Sequence, residues 1–189
     1  MKNIPKTYII QTERLLLRIP SRDDFQRIFS ATRYKGFNDG MPWEPPKSPG
    51  YLEGPLKRSL NSWEKGEGYS FTIEFQNNPG LCGRISIRKT NDARVWNVGF
   101  WAHPDVQGKG IITEALEGVL EFGFCELNAI RIEACFAIWN KASKRVLEKN
   151  NFKYVDHIPK GFIKKGKWVP EDLMAINRDE WESRFNPPA

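Results

Sequence analysis

Residues 97–115, NVGFWAHPDVQGKGIITEA, decide the fold of this chain. Their apolar start predicts a strand, Gly108 and Gly110 predict a tight turn, and the apolar spacing after the turn predicts a helix. The two glycines let the backbone approach a ligand closely and aim successive N–H groups into one space. These N–H groups belong to the first turn of a helix, whose dipole favours anions. The stretch therefore predicts a site for a pyrophosphate.

The glycine spacing separates this turn from two common nucleotide-binding motifs. A dinucleotide-binding fold requires Gly-x-Gly-x-x-Gly, but Thr113 stands at the third position. A P-loop requires Gly-x-x-x-x-Gly-Lys-Ser/Thr, which the sequence does not contain. Because an isolated Gly-x-Gly is more often a plain strand-to-helix turn, its function has to be judged from the rest of the chain.

Length and composition indicate one globular domain spanning residues 1–189. Hydrophobic residues make up 40% of the chain and aromatic residues 13%, which suffices for a core. The net charge of +6 suits an anionic cofactor or an acidic partner. Since no basic block or arginine-rich arm accompanies it, we do not expect a nucleic-acid partner.

The cysteines indicate a reducing compartment. Cys82, Cys125 and Cys135 are odd in number and lack metal-ligand spacing, so we expect free thiols and no metal. The sequence shows no signal peptide at its start and no apolar run long enough to span a membrane. A cytoplasmic protein without a membrane partner is therefore expected.

Periodicity and turn residues predict alternating strands and helices along the chain. The predicted strands cover residues 9–18, 69–75, 81–87, 94–102, 130–138, 152–158 and 172–176, with a turn region at 161–166. The predicted helices cover residues 21–32, 55–66, 111–125 and 143–149, and residues 186–189 are expected to form a frayed tail.

A loop rich in glycine and proline, residues 34–49, separates the first two helices. Loops of this length in a small domain are often functional, which makes Trp43 and Glu44 candidates for contact with a substrate. Trp43 could equally close the edge of the core, and the sequence does not decide between the two roles.

Three blocks together resemble the RimJ/RimL-type GNAT N-acetyltransferases. Residues 12–18 (TERLLLR) resemble the opening strand of that family. Residues 105–110 (DVQGKG) resemble its motif A, Gln/Arg-x-x-Gly-x-Gly/Ala, except that Asp105 stands at the first position. Residues 140–152 resemble its Asn-x-x-Ser…Glu-Lys-x-Gly-Phe block, with Asn151 in place of the glycine. The resemblance covers nearly the whole chain and implies the α/β (α+β) GNAT fold: a mixed, mostly antiparallel sheet of six to seven strands flanked by about four helices.

The same resemblance implies acetyl-CoA as co-substrate. Motif A would bind its pyrophosphate, the central strand would pair with its pantetheine arm, and Asn140 would hold that arm. The residues implied in CoA binding are Phe100, Trp101, Ala102, Gln107, Gly108, Lys109, Gly110, Ile111, Asn140, Lys141 and Lys144.

The implied chemistry is direct attack of an amine on the thioester. Ser143 would give a proton to the departing thiolate, because Leu147 stands where other GNAT branches carry a tyrosine. Ser143 could instead cap its helix, and Asn140 is the other catalytic candidate. Cys135 is rejected as a nucleophile, since a cysteine on an apolar strand usually packs.

The sequence offers no clear general base. Asn97 occupies a position where many relatives carry a glutamate, while Glu74, Glu133, Glu171 and Asp172 look like surface or hairpin residues. An α-amine, with a pKa of about 7.7–8.0, needs less help than a lysine near 10.4. We therefore expect a protein N-terminus as the acceptor.

Alternatives within and outside this class stay open. The acceptor could be a polyamine, an amino acid or an aminoglycoside. The domain could also be a CoA-binding sensor without catalysis, because two family positions lack their usual Glu and Tyr. A homodimer is compatible with the sequence, which does not fix the oligomeric state.

Overall fold

An eight-stranded mixed sheet organises the computed structural model of the chain, which describes residues 4–184. The strands follow one another in the sheet as β1-β2-β3-β4-β5-β6-β8-β7, and only β5 and β6 are parallel. The strands are β1 (Ile10–Gln11), β2 (Leu15–Arg18), β3 (Gly68–Phe75), β4 (Asn78–Lys89), β5 (Val95–Ala102), β6 (Arg131–Ala137), β7 (Lys153–Lys164) and β8 (Lys167–Asn177).

Five α-helices flank the sheet in the described range. The helices are α1 (Phe25–Ala31), α2 (Glu53–Glu64), α3 (Ile111–Glu121), α4 (Lys141–Lys149) and α5 (Arg178–Glu182). The main core lies between α3 and one face of the sheet, where Leu116 and Leu120 pack among Ile85 and Ile87, all with 0% exposure. In residues 4–184, no helix is both long and apolar enough to cross a membrane.

The second face of the sheet is covered differently. A smaller apolar cluster of Ile28, Leu52 and Leu81 lies there, with Phe25 and Trp101 packed against it. Because side chains alternate along a strand, the burial of Ile85 in the main core directs Arg84 to this second face.

The sheet opens between its two parallel strands. β5 and β6 pair over only three positions, from Val95 with Arg131 to Asn97 with Glu133. Beyond these positions, residues 98–102 of β5 do not pair with residues 134–137 of β6. We call this opening the β5–β6 gap.

The structure confirms the predicted class of sheet and corrects the count. Eight strands are present instead of six to seven, because the predicted first strand turns back on itself at Thr12. The Thr12 N–H donates to the Leu15 carbonyl (3.0 Å), and the Leu15 N–H donates to the Thr12 hydroxyl (3.1 Å). A fifth helix, α5, begins at a capping box formed by Asn177 and Glu180, which the prediction of about four helices did not include.

The final hairpin was predicted too short. Residues 161–166 were expected to form a turn, but β7 runs through Gly161 and only Lys165 and Gly166 turn, with φ of +47° and +76°. Most of β7 is exposed, so it lacks the apolar alternation that marks a strand in sequence. The expected tail at 186–189 lies outside the described residues.

Candidate active site

The turn between β5 and α3 forms a cradle of backbone N–H groups. Gly108 and Gly110 have φ of +78° and +74°, and Gly110 is the N-cap of α3. Within residues 4–184, the N–H groups of Gly108, Lys109, Gly110 and Ile111 have no hydrogen-bond partner. A Cβ placed on Gly108 would meet nothing within 4 Å, so the cradle is open. This arrangement fits a pyrophosphate.

Glu114 fastens this cradle to the start of the chain. Its carboxylate accepts hydrogen bonds from the Thr12 hydroxyl (2.6 Å), the Arg14 N–H (2.8 Å) and Arg14 Nε (2.7 Å). Arg14 also donates to the Lys109 carbonyl (3.2 Å). Burial alone would raise the pKa of Glu114, but these hydrogen bonds hold it below its ordinary value. Thr12 and Arg14, near the start of the chain, therefore stabilise the turn between β5 and α3.

One edge of β5 faces the gap, and its backbone groups alternate in direction. The His103 N–H donates to the Cys82 carbonyl next to β4 (2.7 Å), and the Arg94 carbonyl accepts from the Ile130 N–H on the β6 side (2.9 Å). Odd-numbered residues therefore direct their backbone toward β4 and even-numbered residues toward the gap. Among the three residues predicted here, Phe100 and Ala102 face the gap, while the backbone of Trp101 faces β4.

The start of α4 lies at the other side of the gap, directly after β6. Asn140 is the N-cap, and its Oδ1 accepts from the Ser143 N–H (3.0 Å). Ser143 is therefore not the cap residue, and its half-buried hydroxyl has no hydrogen-bond partner in the described range. Leu147, at the position of the missing tyrosine, is fully buried. Lys141 and Lys144 are exposed on the helix.

A long loop, residues 32–48, crosses the gap, and we call it the strap. On the β5 side, the Tyr34 hydroxyl donates to Asp105, and Phe37 packs edge-on to Trp101 with ring centroids 5.4 Å apart. On the β6 side, a Cβ on Gly40 would lie 3.7 Å from both Ala137 Cβ and Asn140 Nδ2. The strap is thus attached on both sides of the gap.

Lys164 of β7 anchors the part of the strap that carries the two predicted acceptor residues. Its ammonium donates to the carbonyls of Met41 (3.0 Å) and Trp43 (2.8 Å) and lies 3.3 Å from the Glu44 carboxylate. The Trp43 ring stands edge-on to Phe37, 6.3 Å away, so it belongs to the aromatic row that leads to Trp101. No sequence signal points to Lys164, because all of these partners are distant in the chain.

His103, which follows β5, has a structural role. It is fully buried; its Nδ1 accepts from the Asp105 N–H (3.2 Å) and its Nε2 lies 2.9 Å from the Ser30 hydroxyl. Burial lowers the pKa of His103, aided by the nearby Arg27, so the ring is neutral and Nε2 carries the proton. Asp105 in turn lies 3.0 Å from Arg27, which links the end of β5 to α1.

The four carboxylates considered as bases differ sharply in their surroundings. Glu74 lies 3.1 Å from Arg18, Glu133 lies 2.8 Å from Arg131, and Asp172 lies 2.9 Å from His157. Glu171 has no hydrogen bond or ion pair within residues 4–184, and burial raises its pKa. Only Glu171 is therefore an unpaired carboxylate with a raised pKa.

Glu171 lies on β8, one strand beyond the β5–β6 gap, with β6 between them. It pairs in register with Ala137 of β6, on the same face as Cys135. Its carboxylate packs over Gly161, where an added Cβ would approach Oε2 to 2.4 Å and would displace the Glu171 side chain.

Cys135 is exposed rather than packed, contrary to the reason given for rejecting it. Desolvation, with Glu171 and Glu133 nearby, raises its pKa to about 11. A thiol with that pKa stays protonated, so the expectation that it is no nucleophile is kept on different grounds. In residues 4–184, no three His, Cys, Asp or Glu side chains are grouped to hold a metal ion.

Comparison with known proteins agrees with this geometry. Residues 14–153 match the acetyltransferase (GNAT) domain family. The chain is 28% identical over 172 residues to the uncharacterized N-acetyltransferase YnaD of Bacillus subtilis (strain 168), covering 91% of this chain and 98% of that one. It is 33% identical over 130 residues to the probable N-acetyltransferase YjcK of the same organism, covering 66% and 72%.

Solved structures show the same fold. The ribosomal L7/L12 α-N-protein acetyltransferase RimL, in complex with coenzyme A, superposes with a TM-score of 0.81 at 17% identity, covering 92% of this chain and 99% of that one. A GNAT acetyltransferase from Bacillus anthracis gives 0.81 at 23% identity, covering 92% and 100%. The chain belongs to the GNAT family of acetyltransferases.

Proposed function

We propose that this acetyl-CoA-dependent N-acetyltransferase acetylates the α-amine of a protein N-terminus by direct attack on the thioester. The observation that carries the proposal is the β5–β6 gap. Unpaired backbone groups of β5 lie on one side of the gap, and the free Ser143 hydroxyl and the unpaired Glu171 lie on the other. A single domain of 189 residues would supply every group.

The cradle and the edge of β5 would hold the co-substrate. The four unpaired N–H groups from Gly108 to Ile111 suit the pyrophosphate, and Gln107 stands at the entrance with its side chain on the Ala102 carbonyl (3.2 Å). The pantetheine amides would pair with the backbone of Phe100 and Ala102 like an added strand. Asn140 Nδ2 is a further donor, and Lys141 and Lys144 are placed for outer phosphates.

Transfer of the acetyl group requires three groups of the protein. A backbone N–H at the gap would polarise the thioester carbonyl. The C–N bond forms as the C–S bond breaks. The Ser143 hydroxyl would hydrogen-bond the thiolate, pass it a proton and recover one from water. The attacking nitrogen loses its extra proton to Glu171, directly or through one water.

The character of Glu171 suits an α-amine. A raised pKa brings a carboxylate closer to the pKa of the amine it deprotonates, which improves its performance as a base. An α-amine near 7.7–8.0 is already about a tenth neutral at pH 7, so a moderate base is sufficient.

The acceptor would enter beneath the strap, along Trp43, Phe37 and Trp101. Similarity in fold to RimL, an α-N-protein acetyltransferase, supports a protein N-terminus as acceptor. Glu44 is held by Lys164, so its contribution would be to fix the strap beside Trp43. The three free thiols suit a cytoplasmic enzyme.

Thiol release from acetyl-CoA, measured against N-terminal peptides, polyamines and aminoglycosides, tests this function. We expect turnover with peptides whose α-amine is free and none once that amine is blocked. Turnover confined to polyamines or aminoglycosides would exclude the protein N-terminus, and CoA binding without turnover on any amine would favour a sensor.

A further inference from the structure

Arg84 is a charged group on the acceptor face whose hydrogen-bonding capacity is not used. It lies on β4, opposite Thr72 of β3 and Trp101 of β5, on the face covered by α1 and the strap. The residue is half-buried, and burial lowers the pKa of its guanidinium, with Asp24 as the opposing charge. Within residues 4–184 it makes no hydrogen bond or ion pair.

The acidic groups near Arg84 are already engaged elsewhere. Asp24 accepts hydrogen bonds from Arg18 (2.8 Å), the Ser21 N–H (3.0 Å) and the Thr72 hydroxyl (2.6 Å). Glu74 lies 3.1 Å from Arg18. Asp24 therefore offsets the charge of Arg84 at a distance but leaves its five N–H donors unpaired.

The guanidinium of Arg84 is only half-buried and uses none of its donors within residues 4–184, so these donors are available to a ligand. Its planar donors match a carboxylate in a bidentate arrangement. Arg84 is remote from the N–H cradle, because the cradle continues into α3 on the opposite face of the sheet. A ligand group that binds Arg84 therefore belongs to the acceptor and not to CoA.

Register places Arg84 close to the β5–β6 gap. It is one strand from Trp101, about 4.8 Å along the hydrogen-bonding direction, and the gap opens immediately beyond that strand. We propose that the acceptor carries a carboxylate near its amine and that Arg84 binds this carboxylate. The proposal rests on the proposed acetyl transfer to an α-amine and adds the chemical class of the acceptor.

Two sources could supply such a carboxylate: an acidic side chain at the start of a peptide, or the carboxylate of a free amino acid. Peptide pairs that differ only by Asp against Asn or Glu against Gln in the first three residues test the first source. Amino acids paired with their carboxamides test the second. Thiol release gives kcat and KM for each member.

For the wild-type protein, we expect the acidic member of a pair to exceed its amide by roughly 10- to 100-fold in kcat/KM, mainly through KM. Arg84→Gln should bring that ratio close to one while turnover of the neutral member and CoA affinity stay unchanged. Arg84→Lys should keep part of the preference. Arg88→Gln, on the same strand and face but exposed, should keep all of it.

Equal rates for acid and amide in the wild-type protein would overturn the inference and leave N-terminal acetylation standing. Acetylation of acidic amino acids without any peptide turnover would support Arg84 as the carboxylate site and exclude the protein N-terminus. If Arg84→Gln does not fold, product inhibition of the wild-type protein decides. Acetylated acidic peptides should inhibit more strongly than their amides, and equal inhibition would contradict the proposal.

Discussion

The two sides of the β5–β6 gap are built in different ways. On the CoA side, the cradle from Gly108 to Ile111 consists of backbone N–H groups whose position follows from two glycines and a helix start. On the proposed acceptor side, the strap and the surrounding strands would contribute individual side chains, among them Trp43, Arg84 and Glu171. A backbone site suits a ligand shared by a whole family, whereas a site made of side chains can vary with the acceptor.

The largest effect should come from a substitution that distorts the backbone N–H cradle. Gly110→Val forces a β-branched residue into φ of +74° at the N-cap of α3. We expect CoA affinity to fall by at least about 100-fold, since the N–H groups lose their common direction. A calorimetric titration measures this.

Gly166→Val is the matched control, because Gly166 has φ of +76° in the hairpin turn between β7 and β8. Both variants should lose about 1–2 kcal/mol of stability from the left-handed conformation. If the control loses CoA affinity to the same extent, the effect at Gly110 is one of folding alone.

Ser143→Ala should act on the chemical step. Since Asn140 and not Ser143 caps α4, the change leaves the helix intact. We expect kcat to fall by about 100-fold with unchanged CoA affinity and stability. Asn140→Ala provides the contrast, because loss of the cap should cost about 1 kcal/mol of stability. An unchanged kcat in Ser143→Ala would remove that serine from the mechanism.

Glu171→Gln should produce a smaller loss and a change in pH dependence. In the wild-type protein, kcat/KM should rise with pH through the raised pKa of Glu171, because the base must be ionised. The glutamine variant should lose that limb and about tenfold or more in rate. Glu133→Gln, whose carboxylate pairs with Arg131, should keep the limb. If both variants keep the same rise of kcat/KM with pH, Glu171 is not the general base.

The Glu171→Gln substitution should lower the rate but raise the folding stability near neutral pH. The folded protein binds the Glu171 proton more tightly than the unfolded chain, so this residue favours folding most below a pH of about 4.3. Its contribution declines as pH rises through the raised pKa. Near neutral pH, Glu171→Gln should therefore melt at a higher temperature than the wild-type protein.

The same contrast explains what the sequence could predict. The strand, turn and helix around Gly108 and Gly110 follow from local rules, and so does the hairpin of β3 and β4. The left-handed Asn151, with φ of +62°, follows a local rule as well, because asparagine tolerates this conformation after a helix. Each depends on residues adjacent in the chain.

Contacts between distant segments could not be predicted in this way. Lys164 reaches the strap across 121 residues to the carbonyl of Trp43. Glu171 was treated as a hairpin residue, because only the register of β8 with β6 brings it near the gap. Arg84 was not singled out, since an arginine on an alternating strand looks solvated until α1 and the strap cover it.

Amide hydrogen exchange, resolved by residue and measured with and without CoA, tests the central claim most directly. The account predicts that CoA protects the N–H groups of Phe100 and Ala102 together with those from Gly108 to Ile111. Gly99 and Trp101, which already face β4, should change little. Protection elsewhere, or equal protection of odd and even residues of β5, would contradict the placement of CoA in the β5–β6 gap.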